Sequence, residues 1–308
     1  MQYDIVIIGA GPAGMTAAIY AKRANMNIII LDKLAPGGQI LNTNEIRNYT
    51  GAGTINGADL AIKMLEHTME LGVEMDYATV TGIKDENGIK RILCEEEDKE
   101  FTGRAVIIAT GTKARSLHIP GEEKYAGTGI SWCAICDGPA YRDKDVVVIG
   151  GGNSAAEESL YLTGMVHKLS IVTMLDLTAD PVVCQSLREN EKVTIFPYQE
   201  VLEFYGEDKK IKGVRFKSAK TGQENTVACD GVFEYIGQAP MTEPFRNLGI
   251  VNSYGYIKAD GSMSTAQSGI FAAGDCIEKH LRQVITACSD GAIAAQEAAK
   301  FVKANRRQ

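Results

Sequence analysis

Cys133 and Cys136 are separated by two residues in Ser131-Trp132-Cys133-Ala134-Ile135-Cys136-Asp137-Gly138. Thiols at that spacing suit a reversible disulfide or half of a metal site. A zinc centre needs two further ligands, and His118, His167, Cys94 and Cys184 are scattered without ligand spacing. A third reading is two unpaired core cysteines. The residues favour a working dithiol, with no metal expected. Cys94, Cys184, Cys229, Cys276 and Cys288 are most simply buried small residues.

A glycine-rich turn follows the thiol pair, and another opens the chain. Residues 3–8 form a β-branched run typical of a strand buried on both faces. The run ends in Gly9-Ala10-Gly11-Pro12-Ala13-Gly14, ahead of a helical stretch over 15–24. A second strand, 28–31, is closed by Asp32, 18 positions past Gly14. Strand, G-x-G-x-x-G, helix and acidic residue in that order form the dinucleotide-binding pattern. Gly9 makes the tight turn, Gly11 lets backbone approach a pyrophosphate, and Asp32 accepts hydrogen bonds from a ribose.

The same unit recurs. Strand 145–149, the loop Gly150-Gly151-Gly152-Asn153-Ser154-Ala155 and a helix from Ala156 lie on the first unit at an offset of 141. Between the two, strand 105–108 ends in Ala109-Thr110-Gly111. Near the end, strand 270–273 leads to Gly274-Asp275 and a long helix over 284–302. Proline and glycine mark hinges at Ile119-Pro120-Gly121 and Gly237-Gln238-Ala239-Pro240. These elements predict an α/β chain of two Rossmann-like nucleotide-binding domains, the second inserted into the first.

Bulk properties narrow the class. A chain of 308 residues suffices for two domains, and a net charge of -7 argues against a nucleic-acid surface. No run approaches the ~18 apolar residues of a membrane span. The N-terminus enters a strand directly, so a cytoplasmic protein is expected. Seven cysteines, an odd number, do not suggest a secreted disulfide framework.

With these pieces in order, the chain resembles the low-molecular-weight thioredoxin reductases over essentially its full length. The residues that carry the resemblance include the first glycine turn, Gly37-Gly38-Gln39, Asn48, Ala109-Thr110-Gly111, the C-x-x-C-D-G motif, Gly150 to Ala155, Gly274-Asp275 and Arg282-Gln283-Val284. It implies an FAD domain of residues 1–116 and 241–308 and a dithiol domain of residues 117–240. FAD would contact Gly9, Gly11, Pro12, Ala13, Gly14, Asp32, Lys33, Gly38, Gln39, Asn48 and Val80. Further along, its contacts would be Ala109, Thr110, Gly111, Gly274, Asp275, Arg282, Gln283 and Val284. Cys136 would be the flavin-facing thiol, Cys133 the thiol that attacks the thioredoxin disulfide, and Asp137 the general acid. Asp137 also reads as a turn residue, and Trp132 as either a docking or a packing residue. A homodimer is implied.

The chain departs from that family at one place. Relatives hold the 2'-phosphate of NADPH with a His-Arg-Arg run and a later arginine. The offset places Thr173 over Asp32, followed by Met174-Leu175-Asp176, and Ala179 falls where the later arginine would. No Lys or Arg occurs between Lys168 and Arg188, whereas Asp176 and Asp180 do. A phosphate facing two carboxylates and no cation is expected to bind poorly. The resemblance then points to the branch that takes electrons from ferredoxin. The alternatives are NADH as donor and a redox-sensing flavoprotein without turnover. Lys113 with Arg115, or Lys300, Lys303, Arg306 and Arg307, would supply a basic patch for an acidic ferredoxin.

Overall fold

The computed structural model describes residues 2–43, 46 and 48–305. In chain order the first elements are β1 (Gln2–Ile8), α1 (Pro12–Arg23), β2 (Ile28–Asp32), α2 (Gly57–Glu70), β3 (Glu74–Tyr77), β4 (Val80–Glu86), β5 (Ile89–Cys94) and β6 (Phe101–Ile108). Next come β7 (Thr112–Ala114), α3 (Glu122–Tyr125), β8 (Ile130–Ser131), α4 (Ala134–Asp137), β9 (Asp145–Ile149), α5 (Asn153–Thr163) and β10 (Lys168–Thr173). They are followed by α6 (Pro181–Arg188), β11 (Val193–Pro197), β12 (Gln199–Glu207), β13 (Lys210–Ser218), β14 (Glu224–Ala228) and β15 (Gly231–Glu234). The last are β16 (Gln238–Pro240), β17 (Ile270–Ala272) and α7 (Val284–Asn305).

The chain forms two compact units. One comprises residues 1–42, 48–113 and 239–308, the other residues 43–47 and 114–238. In the first, a sheet runs β3-β2-β1-β6-β5-β4, with β17 also paired to β6. The strands β3, β2, β1, β6 and β17 are parallel, whereas β4, β5 and β6 form an antiparallel meander. Ile5, Val6 and Ile7 are fully buried, as expected of a parallel strand covered on both faces. Alanines make the close packing possible. Ala17, Ala18 and Ala21 of α1 and Ala294, Ala295 and Ala298 of α7 are all buried in the same core.

The second unit carries a parallel sheet, β11-β10-β9-β15-β8, and an antiparallel meander, β12-β13-β14. The offset of 141 is a register fact: Ile28 pairs with Ile5 as Leu169 pairs with Val146. Ile119-Pro120-Gly121, read above as a hinge, lies inside this unit, where Pro120 O accepts from Phe204 N at 3.0 Å. The reason is packing: a Cβ on Gly121 would lie 1.9 Å from Phe204 O. Helices begin earlier than apolar periodicity suggests, α1 at Pro12 and α5 at Asn153, because the glycine turns themselves supply the first helical residues. Among the described residues no helix is long and apolar enough to cross a membrane.

Candidate active site

Cys133 and Cys136 are disulfide-bonded, with Cα atoms 5.3 Å apart. The pair sits where β8 ends and the single turn α4 begins. Cys133 is the N-cap of α4, its Sγ accepting from Cys136 N at 3.2 Å. Ser131, buried at the end of β8, orders the approach: its Oγ accepts from Cys133 N at 3.1 Å and donates to Asp137 Oδ2 at 2.6 Å. Asp137 precedes the turn Gly138–Tyr141, which its side chain does not cap, and its carboxylate accepts from the Ser131 hydroxyl.

The strand β15 holds both neighbours of Cys133. Pairing of Ile130 with Val232 and Ser131 with Phe233 leads Glu234 and Tyr235 alongside Trp132 and Cys133. Trp132 Nε1 donates to Glu234 Oε2 at 3.0 Å, so the indole is half-buried and packs. Glu234 is 2% exposed and its Oε1 has no hydrogen-bond partner. Burial, then the nearby Glu122 carboxyl, push Glu234 up to about 8, against the indole bond that favours its anion. On the other side, Ala134 N donates at 2.6 Å both to Tyr235 Oη and to Glu158 Oε2, and Tyr235 donates to the same carboxylate oxygen. Burial raises the Glu158 carboxyl while those two donors oppose the rise. Sequence reasoning missed Glu158, Glu234 and Tyr235. The available signal was Glu234, a carboxyl inside the apolar run 231–236.

Among the other cysteines, Cys184, Cys229, Cys276 and Cys288 are buried free thiols, but Cys94, at the end of β5, is partly exposed. Burial pushes Cys229 up to about 12 and Cys276 up to about 11, which keeps them unreactive. Among the described residues no group of three or more His, Cys, Asp or Glu is placed to hold a metal.

The first unit offers a cradle. Gly9 (φ +110°) turns tightly against β6, for its Cβ would lie 2.3 Å from Ala109 O. Gly14 packs so closely that a Cβ there would lie 1.8 Å from Gly9 O. Gly11, the N-cap of α1, faces open space, as does Gly111 beyond Thr110. Pro12 and Ala13 start the helix. The Asp32 carboxylate accepts from Ala10 N at 2.6 Å and from Leu34 N at 2.9 Å, and each oxygen keeps a lone pair for another donor. Lys33 and Gly38 are exposed beside it; Gln39 donates to Thr112 O, and Asn48 Nδ2 to Gln283 Oε1 at 3.0 Å. Val80 opens β4 opposite Cys94. Gly274 N is held by Asp290 at 3.1 Å, and Val284 begins α7.

Asp275 Oδ1 and Arg282 Nε are buried without a hydrogen-bond partner. Burial raises the Asp275 carboxyl, against the pull of Lys279 and Arg282. Native proteins leave few such atoms, so a donor and an acceptor buried beside open glycine turns fit a polar group with a phosphate. The residues fit FAD.

The second glycine turn repeats the first in backbone only. Thr178 N donates to Gly151 O at 2.7 Å, as Gly37 N donates to Ala10 O at 2.9 Å, so the offset of 141 persists through the loop after the strand. Thr173 therefore occupies the Asp32 place. The expectation of two carboxylates facing no cation needs correction: Arg188 Nη2 reaches back from α6 to Asp176 Oδ1 at 2.7 Å and lowers its pKa. Helical geometry brings this arginine in from 12 residues away, which its position in sequence concealed. Asp180 is also occupied, capping α6 through Val182 N at 2.9 Å. Met174 and Leu175 are exposed. Of the basic residues, Lys113 and Arg115 are exposed and Lys300 pairs with Glu297 at 2.7 Å. Lys303 lies in the last turn of α7, and Arg306 and Arg307 lie outside the described residues.

A paired glycine-turn fold bearing a C-x-x-C disulfide defines a flavoprotein-type disulfide oxidoreductase, and the chain belongs to the pyridine nucleotide-disulphide oxidoreductase family, whose profile matches residues 3–291. Within it, the chain is 43% identical to the thioredoxin reductase of Bacillus subtilis (strain 168), over 98% of this chain and 95% of that protein. The solved thioredoxin reductase of Streptococcus pyogenes MGAS5005 is 43% identical, with a TM-score of 0.91 over 98% of this chain and 99% of that one. A ferredoxin-flavin thioredoxin reductase from Clostridium acetobutylicum is 27% identical, with a TM-score of 0.56 and full coverage of both, 100% and 100%.

Proposed function

We propose that the protein is an FAD-dependent disulfide oxidoreductase that reduces thioredoxin through Cys133 and Cys136, with electrons from reduced ferredoxin rather than NADPH. The carrying observation is the Cys133–Cys136 disulfide with Asp137 held beside it by Ser131, in a chain of this family. FAD is the family's cofactor, and when bound it accepts electrons singly or in pairs and delivers a pair to a disulfide. Gly11 and the start of α1 hold its pyrophosphate, Asp32 its ribose, and Asp275 and Arg282 its remaining polar groups.

The dithiol then works by exchange. Cys133 thiolate attacks one sulfur of the thioredoxin disulfide, the departing thiolate takes a proton from Asp137, and Cys136 attacks Cys133 to release reduced thioredoxin and restore the disulfide. In the second unit, Thr173 offers a ribose no carboxylate, and Arg188 is engaged by Asp176, which supports a donor other than NADPH. The chain is more similar to the thioredoxin reductases of Bacillus subtilis and Streptococcus pyogenes than to the ferredoxin-flavin enzyme, and that similarity lends the ferredoxin donor no support. A nicotinamide donor is the second reading, favoured by Arg188, whose guanidinium stands at the right loop to exchange Asp176 for a phosphate. A homodimer and a cytoplasmic setting belong to the same proposal, the latter supported by five free cysteines.

Turnover of thioredoxin with reduced ferredoxin tests the proposal. Cys133→Ser and Cys136→Ser each abolish turnover with FAD retained, and Cys136→Ser traps thioredoxin as a mixed disulfide. Sustained turnover by Cys133→Ser overturns it. If Lys113 and Arg115 steer the donor, the rate falls as salt rises.

A further inference from the structure

Glu158 lies outside both glycine turns and has no part in the exchange chemistry above. It projects from the middle of α5 and ends on the backbone amide between the two active-site cysteines. Its Oε2 accepts from Ala134 N at 2.6 Å and from Tyr235 Oη, while Tyr235 Oη also accepts from Ala134 N at 2.6 Å. Ala134 is fully buried, and Tyr235 follows directly on β15. Three polar groups thus close a triangle around the first amide of α4. Two donors on one oxygen favour the charged carboxylate, against the burial that raises Glu158, and burial keeps solvent from screening the charge the donors stabilise.

We propose that Glu158 is a positioning residue of the dithiol: it holds the Cys133–Cys136 turn through the Ala134 amide, and its negative charge biases the pair toward the disulfide. The physical link is thiolate stability. Reduction takes the disulfide, two electrons and two protons to two thiols, one of which ionises as the reactive thiolate. Cations beside a C-x-x-C turn favour that thiolate and the reduced form; a carboxylate fixed to the same turn opposes both. The Ala134 amide is committed to Glu158 and Tyr235, which leaves the Cys136 amide as the backbone donor on Cys133 Sγ. A more reducing couple suits a protein that must pass electrons onward to thioredoxin. The inference therefore rests on the function proposed above and concerns the regulation of that site.

The test is an equilibrium titration of the full-length holoprotein at pH 7 in dithiothreitol buffers, dithiothreitol supplying two electrons and two protons as it cyclises. The reduced fraction is read by alkylation and mass of the peptide containing Cys133 and Cys136. Glu158→Gln and Glu158→Met, two different replacements that remove the charge, each raise the equilibrium constant for reduction about tenfold, or about 30 mV for a two-electron couple. Glu158→Asp and Tyr235→Phe, which retain the carboxylate, remain within about threefold of the unmodified protein, about 15 mV. A purely structural role would lower thermal stability in all four without moving the couple, and identical curves for wild type and both charge-removing variants overturn the inference. An equal shift in Tyr235→Phe also overturns it, by assigning the effect to hydrogen-bond geometry. Failure of the wild-type pair to titrate at all would instead overturn the proposed function.

Discussion

The two glycine turns are copies in backbone and differ in what they can hold. Gly9 and Gly150 both take positive φ, +110° and +128°, and in both a Cβ would strike the carbonyl of the residue that follows a strand, at 2.3 Å on Ala109 O and 2.4 Å on Tyr235 O. Those glycines are required by the turn. The side chains at the ends of the second strands are not fixed by the turn, and they differ: Asp32 with two amide donors in the first unit, Thr173 in the second. A fold preserves what its own packing demands and can lose what a ligand demands. The carboxyls show the same contrast. Asp32 is served by two amides, whereas Glu234 of the second unit is buried with one indole bond and an oxygen without a partner.

That last contrast carries the largest expected effect. Above the ordinary Glu value of about 4.3, the unfolded chain releases a proton that folded Glu234 keeps until about 8, so stability falls as pH rises through that window. The full loss is on the order of 5 kcal/mol and is complete near pH 8. Glu234→Gln, unfolded by denaturant from pH 4 to 9, should match wild type at pH 4 and exceed it increasingly up to pH 8. Parallel curves would mean that Glu234 is ionised when folded.

Next in size is a paired substitution at matching helix positions, where the first turn has Gly14 and the second Ala155. Gly14→Ala forces a Cβ to within 1.8 Å of a backbone oxygen. A cost of about 1–3 kcal/mol or more and impaired FAD uptake, read by flavin absorbance per chain, are expected. Ala155→Gly should cost about 0.5–1 kcal/mol and leave flavin uptake intact. Equal losses would show that the two turns pack alike. Of similar size, Asp32→Ala should weaken FAD binding by about 1.5–3 kcal/mol, and Thr173→Ala should leave it unchanged. An effect of Thr173→Ala on flavin binding would break the distinction between the turns.

Much of the fold was legible because it rests on obligatory backbone. The glycines of both turns, the offset of 141 and the thiol pair are positions where few residue types are permitted, so local sequence reports them. What was hidden depends on distant partners. Arg188 and Asp176 meet because α6, packed against α5 and β11, ends beside the loop after β10, and Glu158 reaches Ala134 across 24 residues. Nothing in either local sequence announces the meeting. Asp137 was visible as an acid beside Cys136, but the Ser131 hydroxyl that holds it follows from the packing of β8.

The central proposal, that the second turn keeps its shape without taking a nicotinamide donor, is tested most directly by anaerobic mixing of the oxidised holoprotein with excess NADPH, NADH or reduced ferredoxin while flavin absorbance is followed. The account predicts no change over seconds with either nucleotide and bleaching with ferredoxin. Rapid bleaching by NADPH, abolished by Arg188→Ala, would contradict it and show that Arg188 supplies the phosphate site that the loop after β10 lacks.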